Sequence, residues 1–214
     1  METKTRSADP TVKAGTVKKS SNTSYIRTIV GMGVMTAIVV VLQLLSSVIH
    51  FGPFSITLAL TAMIVGGAVY GIWGGAWLGL VMGLTVLISG DAAPFMVLSP
   101  VGTILTVLLK GALAGFAAAC IYKLIDGKSR FGAVIAAGIT APVVNTGIFL
   151  IGVYVFFLDA ISSWADAANL PVGEYIFTGL IGLNFPVELM VNLALSTVTV
   201  TIIGIVKKSM AERQ

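Results

Sequence analysis

Five long apolar blocks, 25–49, 54–90, 101–124, 131–158 and 176–206, follow one another with short polar joints between them. Crossing a hydrocarbon core of about 30 Å takes about 20 helical residues. The block 54–90 is too long for one crossing, since a single helix of that length would run roughly 55 Å. Its middle, Tyr70-Gly71-Ile72-Trp73-Gly74-Gly75, supplies a tight glycine turn. Splitting there predicts an all-α membrane protein, a bundle of six transmembrane helices at 25–49, 54–72, 75–90, 101–124, 131–158 and 177–206. Residues 1–24 are polar, rich in Lys, Ser and Thr, and lack periodicity, so a flexible basic cytosolic tail is expected there. Residues 207–214 read as a second, short cytosolic tail. The run after Arg27 is too long for a signal-peptide core, so no cleaved leader is expected.

Composition agrees with this class. The chain is 57% hydrophobic and 10% charged, with a mean hydropathy of +1.00, whereas a soluble domain carries about 25% charged residues. The pI near 9.3 does not imply a nucleic-acid partner, because the basic residues form no folded face. They cluster at Lys4, Arg6, Lys13, Lys18, Lys19 and Arg27, at Lys123, Lys128 and Arg130, and at Lys207, Lys208 and Arg213. Six crossings put all three clusters on one side, which the positive-inside rule makes cytosolic, and leave Asp91, Asp159, Asp166 and Glu174 outside. Both termini are then cytosolic, and membrane lipid is the first partner expected. The lone Cys120 excludes an intrachain disulfide, and the lone His50 excludes a His–His metal pair. No cofactor is expected.

Gly67, Gly71, Gly75, Gly79 and Gly83 are spaced by four, a pattern that lets helix backbones approach closely. Trp73, Trp77 and Trp164 fall near the expected membrane surfaces and suit an aromatic belt. The ionisable residues inside the predicted helices are few. A charge at the bilayer centre costs at least about 2.5–3.5 kcal/mol and marks a functional or paired group. Lys110 lies nine residues from Val101, and Glu188 nine residues from Gly179, which puts both roughly 14 Å deep. Asn184, Glu188 and Asn192 are spaced by four and share a helix face. Asn145 falls at a similar depth in the fifth helix. Pro142 and Pro186 leave the carbonyls of Gly138 and Gly182 without their helical donors. Together these predict a polar pocket in the outer half of the bundle, lined by Lys110, Asn145, Asn184, Glu188 and Asn192, with Gln43, Ser46 and Ser47 as further candidates. The competing reading is a structural Lys110–Glu188 bridge with the amides joining helices. Asp91 reads as a solvated loop charge and His50 as an interfacial residue. The outer joint at Phe51 and Phe54 and the segment from Asp159 to Tyr175, with Trp164 and Tyr175, are lid candidates.

Several motifs, in their order along the chain, resemble a known family. These are Gly33-Val34-Met35-Thr36-Ala37, Ser89-Gly90-Asp91-Ala92-Ala93, Leu108-Leu109-Lys110-Gly111, Pro142-Val143-Val144-Asn145-Thr146-Gly147 and Gly182-Leu183-Asn184-Phe185. With about 200 residues, six predicted helices and a basic N-terminal tail, the chain resembles a substrate-binding S component of an energy-coupling factor (ECF) transporter. The resemblance spans 25–206. It implies a plasma-membrane protein that binds a vitamin from outside and docks on a coupling subunit driven by two cytosolic ATPases. The family's small-residue surface on the first helix corresponds here to Gly33 and Ala37, with glycine in place of the usual first alanine. The family's ligand contacts come from helices four to six, so the resemblance implies that Lys110 meets a substrate carboxylate or phosphate. It implies that Asn145, Asn184 and Asn192 bond polar substrate groups. A pantothenate-like carboxylate suits one cation among amides. The sequence has no Walker-type phosphate loop with which to use ATP itself, which agrees with the need for a partner.

Two other classes compete. A stand-alone ion-coupled transporter or small channel would use Lys110 and Glu188 as a relay. A structural subunit would bind no small ligand. An enzyme is disfavoured, because no nucleophile–base pair or carboxylate metal cluster falls in the helices.

Overall fold

The computed structural model describes residues 16–48, 50–51, 54–55, 57–182 and 184–212, with side chains described outside 16–24 and 50–55. Helix α1 (Thr16–Val48) leads through a two-residue antiparallel hairpin, β1 (His50–Phe51) and β2 (Phe54–Ser55), into α2 (Ala59–Tyr70) and α3 (Ile72–Ser89). The short α4 (Ala93–Leu98) precedes the long α5 (Pro100–Asp126) and α6 (Arg130–Gly152). A π-helical stretch, Val153–Phe157, continues into α7 (Leu158–Ala167). After α8 (Val172–Tyr175) comes a second π-helical stretch, Ile176–Ile181, then α9 (Asn184–Ala194) and α10 (Ser196–Ala211).

Among the described residues, five segments are long and apolar enough to cross a membrane: Tyr25–Val48, Ile72–Ser89, Pro100–Asp126, Arg130–Ala167 and Val172–Ala194. The protein is an all-helical integral membrane protein. The expected second helix, 54–72, is shorter than its apolar block: α2 has 12 residues, roughly 18 Å of helix. The expected tail 1–24 is helical from Thr16; residues 1–15 lie outside the described residues.

The expected sixth helix, 177–206, is interrupted at two interior points. Pro186 has no N–H for the carbonyl of Gly182, and the chain breaks there, with Gly182 at φ 46°. It restarts at Asn184. A turn at Leu195 divides α9 from α10, bridged by Leu195 N–H to Val191 O and Thr199 N–H to Leu195 O, both 2.9 Å. The segment 159–175, expected as a loop, is mostly α7. That helix buries Ile161 and Ala165 and exposes Asp159 and Asp166, an amphipathic pattern that continues the long apolar segment Arg130–Ala167.

The predicted glycine turn forms at Gly71, whose φ of 86° favours glycine. The glycine ladder packs α3 onto α5. A methyl added at Gly75 would stand 2.6 Å from the carbonyl oxygen of Gly115, and one at Gly83 would stand 2.7 Å from that of Val107. Gly79 and Gly111 meet in the same way, each against the other's carbonyl. These backbones touch because side chains are missing from both faces.

Local signals fix the helix starts around this contact. Ser99 Oγ accepts from Gly102 N–H at 3.2 Å, with Pro100 opening α5, and Ser129 Oγ accepts from Gly132 N–H at 3.1 Å. Leu60, Met63, Leu78, Met82, Val134 and Ile203 fill the main core. A second cluster, around Val153, Phe157, Ile161 and Ile176, sits beside the π-helical stretches. At the far end of α5, Asp126 accepts from Tyr122 at 2.8 Å and pairs with Lys207 of α10 at 2.7 Å. Ile29, Val30, Val34, Val41 and Leu45 of α1 are exposed, as suits a helix that faces lipid.

Candidate functional site

A cavity of about 330 Å³ opens between the helices, within the usual size range for small-molecule sites. On α5, Thr103, Thr106 and Lys110 follow at spacings of three and four, so one helix face presents all three. Asn145 and Phe149 do the same from α6, and Asn184 and Glu188 from α9. Gln43 reaches in from α1 and Thr57 from the entry to α2. Asp91 and Phe95 come from the connection around α4. Both π-helical stretches contribute, with Phe157 from the first and Gly179 from the second. Such stretches often occur at functional sites.

Three buried oxygens on this lining have no hydrogen-bond partner: Gln43 Oε1, Thr106 Oγ1 and Asn145 Oδ1. Their residues are only 4%, 4% and 8% exposed. Buried polar atoms are nearly always satisfied, so three such exceptions on one wall leave hydrogen-bonding capacity there unused. Gly152 sits against the side chain of Thr106, where a Cβ would collide. The C-terminal end of α6 is thereby held close to α5.

Lys110 and Glu188 line the same cavity without forming the bridge that the competing reading required. The ion pairs among the described residues are Arg130–Asp126, Lys207–Asp126 and Lys208–Glu212. The Lys110 ammonium instead lies 5.4 Å from the centre of the Phe149 ring, a cation–π contact. Glu188 accepts a 2.5 Å hydrogen bond from the Thr57 hydroxyl. Asn192 does not line the cavity. Its Oδ1 accepts from Thr61 at 2.9 Å, and its Nδ2 donates to the carbonyl of Glu188 at 2.9 Å. It joins α2 to α9.

Other expectations shift as well. Asp91 is exposed, as a loop charge should be, yet it forms part of the cavity wall and accepts from Ser47 Oγ at 2.5 Å. Ser46 does not face the cavity but accepts the Leu58 N–H at 3.2 Å, ahead of α2. Trp164 and Tyr175 pack into the second apolar cluster beside the cavity. Phe51 and Phe54 pair through their backbones in the hairpin, and their side chains lie outside the described residues. Gly33 and Ala37 are exposed on α1, and a Cβ at Gly33 would meet nothing within 4 Å.

Sequence reasoning missed Thr57, Thr103, Thr106 and Phe95. The spacing of Thr103 and Thr106 ahead of Lys110 was the available signal. Phe95 had none, although its ring stands 5.6 Å from Phe149, 5.1 Å from Phe157 and 6.1 Å from Trp164, all edge-on.

Among the described residues, no group of three or more metal-ligating side chains assembles. No curated protein and no solved structure matches the chain. The family model described as ECF transporter, substrate-specific component, matches residues 27–203, most of the chain and every element that lines the cavity. That family comprises binding components of transporters rather than enzymes. With its apolar helices and this cavity between them, the chain belongs to the family of substrate-specific components of ECF transporters.

Proposed function

We propose that this chain captures a small vitamin or related micronutrient at the outer face of the plasma membrane and hands it inward by ATP-driven uptake. The partners are an ECF coupling subunit and two cytosolic ATPases. The observation that carries the reading is the set of three unpartnered buried oxygens on the wall that also holds Lys110 and Glu188. A structural subunit has no use for such a wall.

Lys110, Asn145, Asn184 and Glu188 are the proposed substrate contacts, joined by Gln43 and Thr106. Lys110 alone favours a pantothenate-like acid, whereas its neighbours Asp91 and Glu188 weigh against a simple anion. Gly33 and Ala37 are the proposed docking surface on the coupling subunit. Their exposure on α1 supports that role.

The transmembrane domain is proposed to occupy 25–206, with six crossings and both ends cytosolic. One geometric fact supports the even count. Thr57 bonds Glu188 and Thr61 bonds Asn192, and each pair is 131 residues apart. α2 and α9 therefore run in the same direction, as the second and sixth crossings of such a bundle must.

Native mass spectrometry of the gently purified full chain tests the reading. A retained small molecule is expected. A protein that is empty, and that no vitamin stabilises against heat, contradicts it.

A further inference from the structure

The cavity wall carries more information than its role as a substrate site, and the inference that follows rests on that role. The lining sets two carboxylates, Asp91 and Glu188, against one ammonium, Lys110. The three unpartnered oxygens, Gln43 Oε1, Thr106 Oγ1 and Asn145 Oδ1, add acceptors that no other protein group serves. Phe95, Phe149 and Phe157 supply flat walls, and aromatic faces carry negative charge density that attracts cations. The charged and unpartnered groups on the wall are therefore electron-rich, with one exception. The exception, Lys110, already rests over the Phe149 ring. A simple anion entering here would satisfy Lys110, but it would meet two carboxylates in a site of low dielectric, where like charges repel strongly. It would also leave the three acceptors unserved.

We infer that the ligand is a planar aromatic or heteroaromatic molecule bearing an amino, amidine-type or ammonium group. Its donor edge meets Glu188, Asp91 and the free oxygens of Gln43, Thr106 and Asn145. An acceptor elsewhere on the ring system takes a hydrogen bond from Lys110. The ring lies among Phe95, Phe149 and Phe157.

Three probes share one ring and one planar head group and differ in donors and charge: benzamidinium, benzamide and benzoate. Each is added at millimolar concentration to the full chain in detergent at neutral pH, and the thermal midpoint is read. The same preparation is analysed by native mass spectrometry for any retained molecule. Benzamidinium is expected to raise the midpoint most and benzoate least. Glu188→Gln, which keeps an oxygen for the Thr57 hydroxyl, is expected to cut the benzamidinium shift at least twofold and to spare the benzamide shift. Asp91→Asn, at the exposed edge, provides the same comparison if Glu188→Gln folds poorly.

A larger shift with benzoate than with benzamidinium overturns the inference and leaves the substrate-binding role standing. If no probe acts but a molecule is retained, its structure decides: an amino-bearing aromatic supports the inference, and an acid without N–H donors overturns it. If no probe acts and nothing is retained, the inference is overturned, and the substrate-binding role falls with it only when no vitamin stabilises the chain against heat.

Discussion

Thr57, just ahead of α2, donates its hydroxyl hydrogen to Oε1 of Glu188 on α9 at 2.5 Å. One turn further along both elements, Thr61 donates to Asn192 at 2.9 Å. The two bonds form a ladder with equal spacing on each side, and they place the Glu188 carboxylate at the cavity. Hydrogen bonds to charged groups contribute about 1.5–3 kcal/mol, and Glu188 is buried. Thr57→Val is expected to lower stability by about that much, read as a drop in thermal midpoint in detergent. It is also expected to weaken ligand binding. Thr61→Val, beside a residue that does not line the cavity, is expected to lower stability and leave affinity nearly unchanged.

Among the described residues Lys110 forms no ion pair with a carboxylate, so removing it should not strip a structural bridge. Lys110→Met is expected to hold or raise the thermal midpoint, because an apolar chain replaces a cation within the membrane. Ligand affinity is expected to fall about tenfold, the loss of one charge-assisted hydrogen bond. Isothermal titration checks the second effect. Unchanged affinity removes Lys110 from the site.

Two glycines with opposite surroundings separate folding from coupling. Gly79 lies against the backbone of Gly111, while Gly33 faces open space. Gly79→Val is expected to cost at least about 1–3 kcal/mol, as overpacking does, and to reduce the yield of folded protein. Gly33→Leu is expected to leave the midpoint and ligand affinity as they are. It should lower ATP-driven uptake once partners are present, because it roughens the proposed docking surface.

Phe95 stands between the cavity and the outer aromatic cluster. Its truncation removes three edge-on ring contacts, each worth about 0.5–1.5 kcal/mol beyond area burial. Phe95→Ala is expected to speed ligand release at least tenfold, as measured by displacement kinetics. An unchanged release rate denies Phe95 a closing role.

Much of this fold was legible because membrane burial forces simple patterns. Block lengths gave the apolar segments, Gly71 gave the α2–α3 turn, and ladder spacing gave the close helix contact. Depth counting from the outer ends brought Lys110, Asn145 and Glu188 together, since position along a helix converts directly into depth. The same counting misplaced Asn192, because depth says nothing of which neighbour a face meets. Thr57, Thr103 and Thr106 escaped notice because threonine hardly disturbs an apolar run. The π-helical turns were hidden because irregular helix leaves no period to read, and α7 because its buried face, Ile161 and Ala165, is short and interrupted by exposed acids. Asp91 looked like loop charge, and only the packing of α1 beside the α3–α4 connection brought Ser47 and Gln43 near it.

The central claim is that this chain binds its substrate alone but moves it only with an energised partner. Uptake into proteoliposomes tests this most directly. The full chain is reconstituted alone under imposed proton and sodium gradients, and in parallel with an ECF coupling subunit, two ATPases and ATP, using the retained molecule as labelled substrate. The account predicts binding without accumulation in the first case and ATP-dependent accumulation in the second. Gradient-driven accumulation by the chain alone would contradict it and assign Lys110 and Glu188 to an ion relay.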